Sequence, residues 1–373
     1  MKLNKRYIVD QIMSDLARKM VFVGGPRQVG KTTMARHILG KSGQGYLNWD
    51  ISQDREAILK QQLPNVPLWV FDEIHKHRDW RDYLKDIYDH FGNEKKILVI
   101  GSARLDYYRH GGESLQGRYH YLRLHPLSIA ELGITTQEDL LTLLTLGGFP
   151  EPFFGGSAVE AKRWSREYRQ RLIQEDLLSL EKVHDVGKLE WLMLRLPELV
   201  GSPLSIHAIS QDLQVSHYHV SGWLTMLERL YAIVRLPPFG APTIRAVKKE
   251  QKHFHYDWTL VQDKGGRFEN FVALHLLKWV HYEIDTKARD LDLRYFRDVD
   301  GREVDFIITE NGEPLYAIEV KWSDADISSG LKYFKNKFPG CQAWQISATG
   351  IKDYINKEHI RVAPAGVLLR DFI

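Results

Sequence analysis

The sequence predicts an α/β fold: a parallel sheet with flanking helices, then a helix-turn-helix with a wing, then a small α+β domain. Three observations carry this. Across the first 150 residues, short apolar runs alternate with helix-periodic stretches, the pattern of a parallel sheet covered on both faces. Around residues 204–236, two short amphipathic segments flank the turn Gln214-Val215-Ser216. From about residue 257, one helical stretch precedes three strand-like segments separated by Asp300-Gly301 and Asn311-Gly312, dipeptides suited to tight turns.

The elements follow in order. Residues 20–23 read as the first strand and 33–39 as the helix after it. Residues 46–49, 68–71 and 97–100 are further apolar strands, and 80–91 is helix-periodic between them. Residues 158–200 read as helical, with Trp164, Tyr168, Leu172 and Ile173 at helical spacing. Residues 206–213 and 217–230 are the helices of the helix-turn-helix, with Ser216 as N-cap of the second. A strand over 231–236 leads to a wing marked by Pro237, Pro238, Gly240 and Pro242, whose far side carries Arg245, Lys248, Lys249 and Lys252. A helix over 268–280 then precedes strands over 293–297, 303–309 and 315–321. The expected domains are 1–155, 156–256 and 257–373.

The chain has 373 residues, is 43% hydrophobic and 27% charged, and carries a formal charge of +3. That is long enough for two or three domains. The composition excludes a fibrous or disordered chain and a strongly basic architectural protein. The single cysteine, Cys341, excludes a disulfide framework and a multi-cysteine zinc site, and fits a small core residue. Asp10 and Asp15 stand where a signal peptide needs an apolar stretch. The longest apolar run, 140–149, is too short to span a bilayer. A soluble cytoplasmic protein without membrane contact is expected.

Gly25-Pro26-Arg27-Gln28-Val29-Gly30-Lys31-Thr32 fits the phosphate-loop pattern GxxxxGK[ST] at every defined position, between a strand and a helix. Glycines let backbone amides curl around phosphates, and the helix N-terminus adds positive potential. These residues and Thr33 form the expected ATP/ADP-binding set. Lys31 would neutralise the β/γ-phosphates and the Thr32 hydroxyl would bind Mg2+. The strand over 68–71 ends in Asp72-Glu73. Asp72 is placed to hold magnesium through water, and Glu73 to orient and polarise the attacking water. Ser102, after the strand over 97–100, stands where a γ-phosphate sensor would sit.

GGPRQVGKT, VFDEIHK and VIGSARLDYYRHGGESLQGRYHYLRLHPLSIAE together resemble prokaryotic AAA+-type ATPases of the archaeal/bacterial ATPase group. REYRQRLIQEDLLSL and RFENFVALHLLK extend the likeness over nearly the whole chain. The resemblance implies a P-loop NTPase sheet, a winged helix-turn-helix, and a C-terminal domain of unknown function with a restriction-endonuclease-like appearance. It also implies that Arg118, after Gly117, senses the γ-phosphate or acts in trans as an arginine finger, which would make the protein a homo-oligomer. Arg104 and Arg123 compete for that role, and the rival reading of Arg118 is a surface salt bridge. At Tyr256-Asp257-Trp258-Thr259-Leu260 the sequence departs from relatives that carry a small residue and glycine after the aspartate. Local repacking is expected there.

The helix-turn-helix has two readings. His217, Tyr218, His219 and Ser221 would face a DNA major groove while the basic wing touches phosphates. Alternatively the helices pack on the ATPase domain or on a protein partner, because the second helix carries no Arg or Lys before Arg229. The pairs His217/His219 and His253/His255 lack an accompanying acid or cysteine cluster and read as plain histidines.

Asp305 on one strand, Glu319-Val320-Lys321 on the next, and Glu269 on the preceding helix resemble the PD-(D/E)XK nuclease core. In that core two acids bind a divalent metal, and lysine orients or activates the hydrolytic water. Asp305 and Glu319 are thus candidate ligands for a second Mg2+ or Mn2+, Glu269 a further acid, and Lys321 the catalytic lysine. Register decides whether they meet. A two-residue turn at Asn311-Gly312 places Asp305 opposite Ile318, whereas a three-residue connection with a glycine bulge places it opposite Glu319. The expected function is ATP hydrolysis that drives or gates a nuclease-like domain on DNA or RNA. The alternative is an ATP-dependent signalling or scaffold switch whose C-terminal domain only binds a protein partner.

Overall fold

The computed structural model describes residues 5–41, 43–92, 94–101, 115–177, 185–240 and 250–373. Its packing divides the chain into two units, Met1–Pro126 and Leu127–Ile373. This division falls earlier than the expected limit at residue 155.

In the first unit, helix α1 (Val9–Asp15) leads into β1 (Met20–Gly24), the phosphate loop and α2 (Lys31–Leu39). Then come β2 (Tyr46–Asn48), α3 (Ser52–Leu59), β3 (Leu68–Asp72), α4 (Trp80–Phe91), β4 (Lys96–Ile100) and β5 (Tyr119–Arg123). The strands form one parallel sheet in the order β2-β3-β4-β1-β5. Because β1, β3 and β4 are central, they are nearly apolar runs, as strands buried on both faces must be. Phe22, Trp69, Phe71, Ile97 and Val99 pack with Trp80, Leu84 and Ile87 of α4 on one face. The parallel arrangement brings the carboxyl ends of β1 and β3 to the same end of the sheet.

The second unit opens with helices α5 (Ile129–Leu132), α6 (Gln137–Leu146), α7 (Pro150–Gly155), α8 (Ala158–Arg171) and α9 (Val186–Arg195). Trp164 and Tyr168 of α8 stack on each other and pack with tilted rings against Phe149, on one helix face as their spacing predicts. Helices α10 (Ile206–Asp212) and α11 (His217–Arg229) follow, and Ser216 caps α11 by accepting from the His219 amide at 3.2 Å. Strands β6 (Pro203–Leu204), β7 (Ile233–Leu236) and β8 (Gln251–His255) form a small antiparallel sheet in the order β6-β8-β7.

Helix α12 (Lys264–Lys287), longer than the expected 268–280, then packs against β9 (Leu291–Arg297), β10 (Glu303–Glu310) and β11 (Glu313–Lys321). After α13 (Ser329–Lys337) come β12 (Gln342–Ser347), β13 (Tyr354–Ile355), β14 (Ile360–Pro364) and α14 (Ala365–Leu369). This sheet runs β13-β14-β12-β11-β10-β9 and is mixed. Cys341 is buried in its core, with burial pushing the thiol up to about 12. Among the described residues, no helix is long and apolar enough to cross a membrane.

Candidate functional sites

The phosphate loop starts where β1 ends. Gly25 has φ +137°, and a Cβ there would lie 2.3 Å from the Leu124 carbonyl oxygen, so only glycine fits. Lys31 begins α2, and its ammonium donates to the Gly25 and Pro26 carbonyls at 2.9 and 2.5 Å. Val29 is buried, and its carbonyl accepts from the buried Arg6 guanidinium at 2.5 Å. Arg6 also donates to the His125 carbonyl at 2.5 Å, tying the loop to the segment after β5. No motif or spacing in the sequence marks Arg6.

Asp72 ends β3 beside Ile100 of β4. Its Oδ2 accepts from Thr32 Oγ1 at 2.8 Å and from the Tyr46 hydroxyl at 2.5 Å. Burial pushes the Asp72 carboxyl up, against those hydrogen bonds and the nearby Lys31 charge. Burial beside Asp72 also raises the Tyr46 hydroxyl to about 12, so it stays a donor. Tyr46 is a second residue the sequence did not mark. Glu73 leaves the strand with φ 58°, while its amide still donates to the Ile100 carbonyl at 3.1 Å. Its carboxylate lies 3.3 Å from Lys76 Nζ and 3.5 Å from His75 Nε2. Thus the fold brings Gly25–Thr32, Asp72 and Glu73 together.

It does not bring Arg118 there. β1 pairs with β5 from Met20↔Tyr119 to Gly24↔Arg123, so Arg118 stands at the sheet end away from the phosphate loop. Its guanidinium grips Asp89 through two bonds of 2.7 and 2.9 Å. A sensor of its own γ-phosphate does not fit that position, and the pair with Asp89 matches the surface salt bridge that is the rival expectation for Arg118. Arg123, in contrast, sits beside Gly24. Ser102 and Arg104 lie outside the described residues.

Residues 17–133 match the family model described as an AAA domain. This match supports an AAA-type ATPase domain in the first unit, and with it nucleotide-dependent activity. Residues 137–264 and 264–365 each match a domain of unknown function, DUF8612 and DUF4143 respectively. Uncharacterized proteins of Mycobacterium tuberculosis and Mycobacterium bovis are each 25% identical over 315 residues, covering 81% of this chain and 70% of theirs. Among solved structures, a signal transduction ATPase with numerous domains and a tetratricopeptide repeat sensor, from Pyrococcus horikoshii, shares 14% identity. It covers 76% of this chain and 48% of its own length at a TM-score of 0.24.

Beyond the AAA-type domain, the second unit gathers acids. β10 and β11 turn tightly at Asn311-Gly312, pairing Glu310 with Glu313. The register then shifts by one at Leu315, so Ile308 pairs with Tyr316 and Phe306 with Ile318. Carried one residue further, this register sets Asp305 beside Glu319, as a nuclease-like core requires. The device differs from the expected one: the turn has two residues, and the bulge lies within β11.

Asp305 Oδ2 accepts from the Val320 amide at 2.9 Å, and Lys321 Nζ donates to Glu319 Oε1 at 2.7 Å. Glu319 is 5% exposed, and its Oε2 is buried without a hydrogen-bond partner. Glu269 joins them from α12. Burial and the Asp305 charge push both glutamates up to about 7. The pocket also holds a residue expected elsewhere. Lys252, read from sequence as part of the basic wing, is fully buried on β8. Its Nζ lies 2.5 Å from Glu303, 3.1 Å from Glu269 and 3.6 Å from Asp305. It cannot reach a nucleic-acid backbone, because the acids around it supply the countercharge that lets a lysine be buried. Among the described residues, no group of three or more His, Cys, Asp and Glu side chains is arranged to hold a metal ion. Glu269 and Asp305 meet, with Glu303, around the Lys252 ammonium, while Glu319 pairs with Lys321.

His253 and His255 are buried strand histidines, pushed down by burial, as their lack of acidic neighbours in sequence predicts. Asp257 is buried as well. It caps the following turn and accepts from Ser165 of α8, which explains its place in the altered segment. On α11, Tyr218 is largely exposed and His217 and His219 are exposed too. Arg245, Lys248 and Lys249 lie outside the described residues.

Proposed function

We propose that the chain is a magnesium-dependent ATPase whose turnover gates a nuclease-like C-terminal domain acting on nucleic acid. The observation that carries this reading is the meeting of Lys31 and Thr32 with Asp72 and Glu73 at one end of the parallel sheet. The hydroxyl and carboxylate of Thr32 and Asp72, 2.8 Å apart, are hard oxygen donors that suit a magnesium ion. Thr32 and Asp72 would hold the magnesium ion, which would supply positive charge against the charge developing in phosphoryl transfer. Lys31 adds a second cation there, donated from the first turn of α2. Tyr46 holds the Asp72 carboxylate in place from β2. Glu73 orients and polarises the attacking water, and Lys76 and His75 fix its carboxylate beside the strand end. Lys31→Ala is expected to lose nucleotide binding. Glu73→Gln is expected to keep ATP binding while turnover drops about 100-fold or more. Equal turnover by wild type and Glu73→Gln removes Glu73 from the mechanism.

One observation favours a second reading: the Lys252 ammonium among the C-terminal acids. On that reading ATP turnover is a signalling or scaffold switch, and the C-terminal domain binds a protein partner without cleaving anything. Circular single-stranded and duplex DNA, incubated with Mg2+ or Mn2+ with and without ATP, separate the two. Cleavage lost in Lys321→Ala establishes the nuclease, and its loss in Lys31→Ala establishes the gating. No cleavage under any condition leaves the switch.

A further inference from the structure

We propose that Lys252 is a built-in cation that closes the C-terminal acid pocket to divalent metal, and that the small β6-β8-β7 sheet imposes the closure. The inference rests on reading Glu269, Asp305 and Glu319 as a metal-ligand set.

Lys252 sits on the middle strand of that sheet, its backbone paired with Pro203 on one side and Leu236 on the other. The side chain leaves the small sheet and ends among acids of α12 and β10, 1% exposed. Its approach is held from two directions. The Tyr295 ring of β9 lies 5.6 Å from Nζ, and the Tyr295 hydroxyl donates to the Glu250 carbonyl, just before β8, at 2.9 Å. Gly201, before β6, has φ +85°, and a Cβ there would lie 2.8 Å from Glu269 Oε2. A glycine is needed where the small sheet closes over the pocket.

Charge and geometry make the lysine and a metal exclusive. Four carboxylates, of Glu269, Glu303, Asp305 and Glu319, face two ammoniums, of Lys252 and Lys321. With these groups and the Arg297 guanidinium, 3.9 Å from Glu303, all ionised, negative charge remains in the pocket for a cation to offset. Glu319 Oε2 is a buried acceptor that neither lysine uses. A divalent ion binds carboxylate oxygens at about 2.0–2.6 Å. At that range it would stand against the ammonium that already faces the Glu269 and Asp305 oxygens, and two cations so close repel strongly. The ammonium is favoured because it is tethered: β8 holds it at high effective concentration with its ordering already part of the fold. Lys321 is the contrasting lysine. It is 36% exposed and bonds Glu319 alone among these acids, so removal of Lys252 leaves it in place.

The test is Mn2+ binding to the nucleotide-free full chain, followed by electron paramagnetic resonance and by thermal melting. Lys252→Met is expected to bind Mn2+ at least about tenfold more tightly than wild type, with a thermal midpoint that rises with Mn2+. Both gains should vanish when Asp305→Asn is added. Lys252→Arg, which keeps the charge, should bind no better than wild type. If Lys252→Met does not fold, Lys252→Met with Glu303→Gln removes one cation and one acid together, and the same expectations apply to it. Asp305-dependent binding that is equally tight in wild type overturns the closure and keeps the metal-ligand reading. No Asp305-dependent binding in any variant overturns the metal-ligand reading, and the closure with it.

Discussion

Arg6 donates to carbonyls of the phosphate loop and of the segment after β5, from a buried side chain. Truncating it leaves both carbonyls without that donor in a place water does not freely reach. Arg6→Ala is therefore expected to cost about 2–3 kcal/mol of stability, as charged hydrogen bonds do. A loosened loop should also weaken ADP binding about tenfold. Urea denaturation and a nucleotide titration read the two effects separately. Unchanged stability and affinity in Arg6→Ala would contradict the tie. Such residues are hard to read from sequence, because their meaning lies in partners far along the chain. Lys252 makes the same point. It closes a basic run, and an ionised lysine belongs in water unless something offsets it. The offsetting acids, Glu269, Glu303 and Asp305, belong to other elements, and only the paired strands bring them round it. Gly25, Lys31 and Asp72 were legible because their chemistry is written in contiguous residues at strand ends.

At the scale of elements, legibility followed burial. β1, β3 and β4 are central strands, so their apolar runs announced them. β5, Tyr119–Arg123, is an edge strand with mostly half-buried residues, and its alternation of aromatic and polar side chains hid it. Helix α12 was recognised by its apolar middle. Its polar first turn depends on the Asp263 cap, whose carboxylate accepts from the Gly266 amide at 2.7 Å. The bulge at Leu315 left no mark at all, because it reflects how β11 meets β10. α12 also carries an ion pair with a testable consequence. Lys278 donates to Glu131 at 2.6 Å and to Ser128 at 2.9 Å, and both charged side chains are 1% exposed. Removing Lys278 takes a countercharge away from the buried Glu131, so Lys278→Ala is expected to cost about 3–5 kcal/mol. Lys278→Met with Glu131→Met removes both charges and should recover most of that loss. Urea denaturation of the two variants checks the pair: a double variant as unstable as Lys278→Ala would mean that packing, not charge, is what Lys278 supplies.

For the molecule as a whole, the second unit buries titratable groups of opposing sign, and its acid stability depends on their balance. His275 is fixed as a neutral ring. Its Nδ1 must donate to the Phe271 carbonyl at 2.8 Å, and its Nε2 must accept from the Ile129 amide at 3.1 Å. Burial pushes it down to about 3, pushes His253 to about 4, and pushes His255 well down too. Unfolded histidines take up a proton near pH 6.5, so below that pH the unfolded state binds more protons and these three groups favour unfolding. Glu269 and Glu319 act in reverse. Raised to about 7 in the fold, they bind protons there before the unfolded chain does, so acidification from about pH 7 to 4.5 stabilises the fold through them. Between pH 6.5 and 4.5 the three histidines favour unfolding and the two glutamates offset part of that effect. Below pH 4.5 the glutamates no longer contribute, while the histidines continue until they protonate in the fold as well, His253 near 4 and His275 near 3, so the loss steepens over that interval. The urea midpoint of the second unit should therefore fall gently to about pH 4.5 and sharply below it. Two variants test the balance in opposite directions. His275→Gln removes one acid-labile group and should flatten the upper limb. Glu319→Gln removes one stabilising protonation and should steepen it. If both variants track the wild-type slope, other groups govern the acid limb and the buried pocket does not set it.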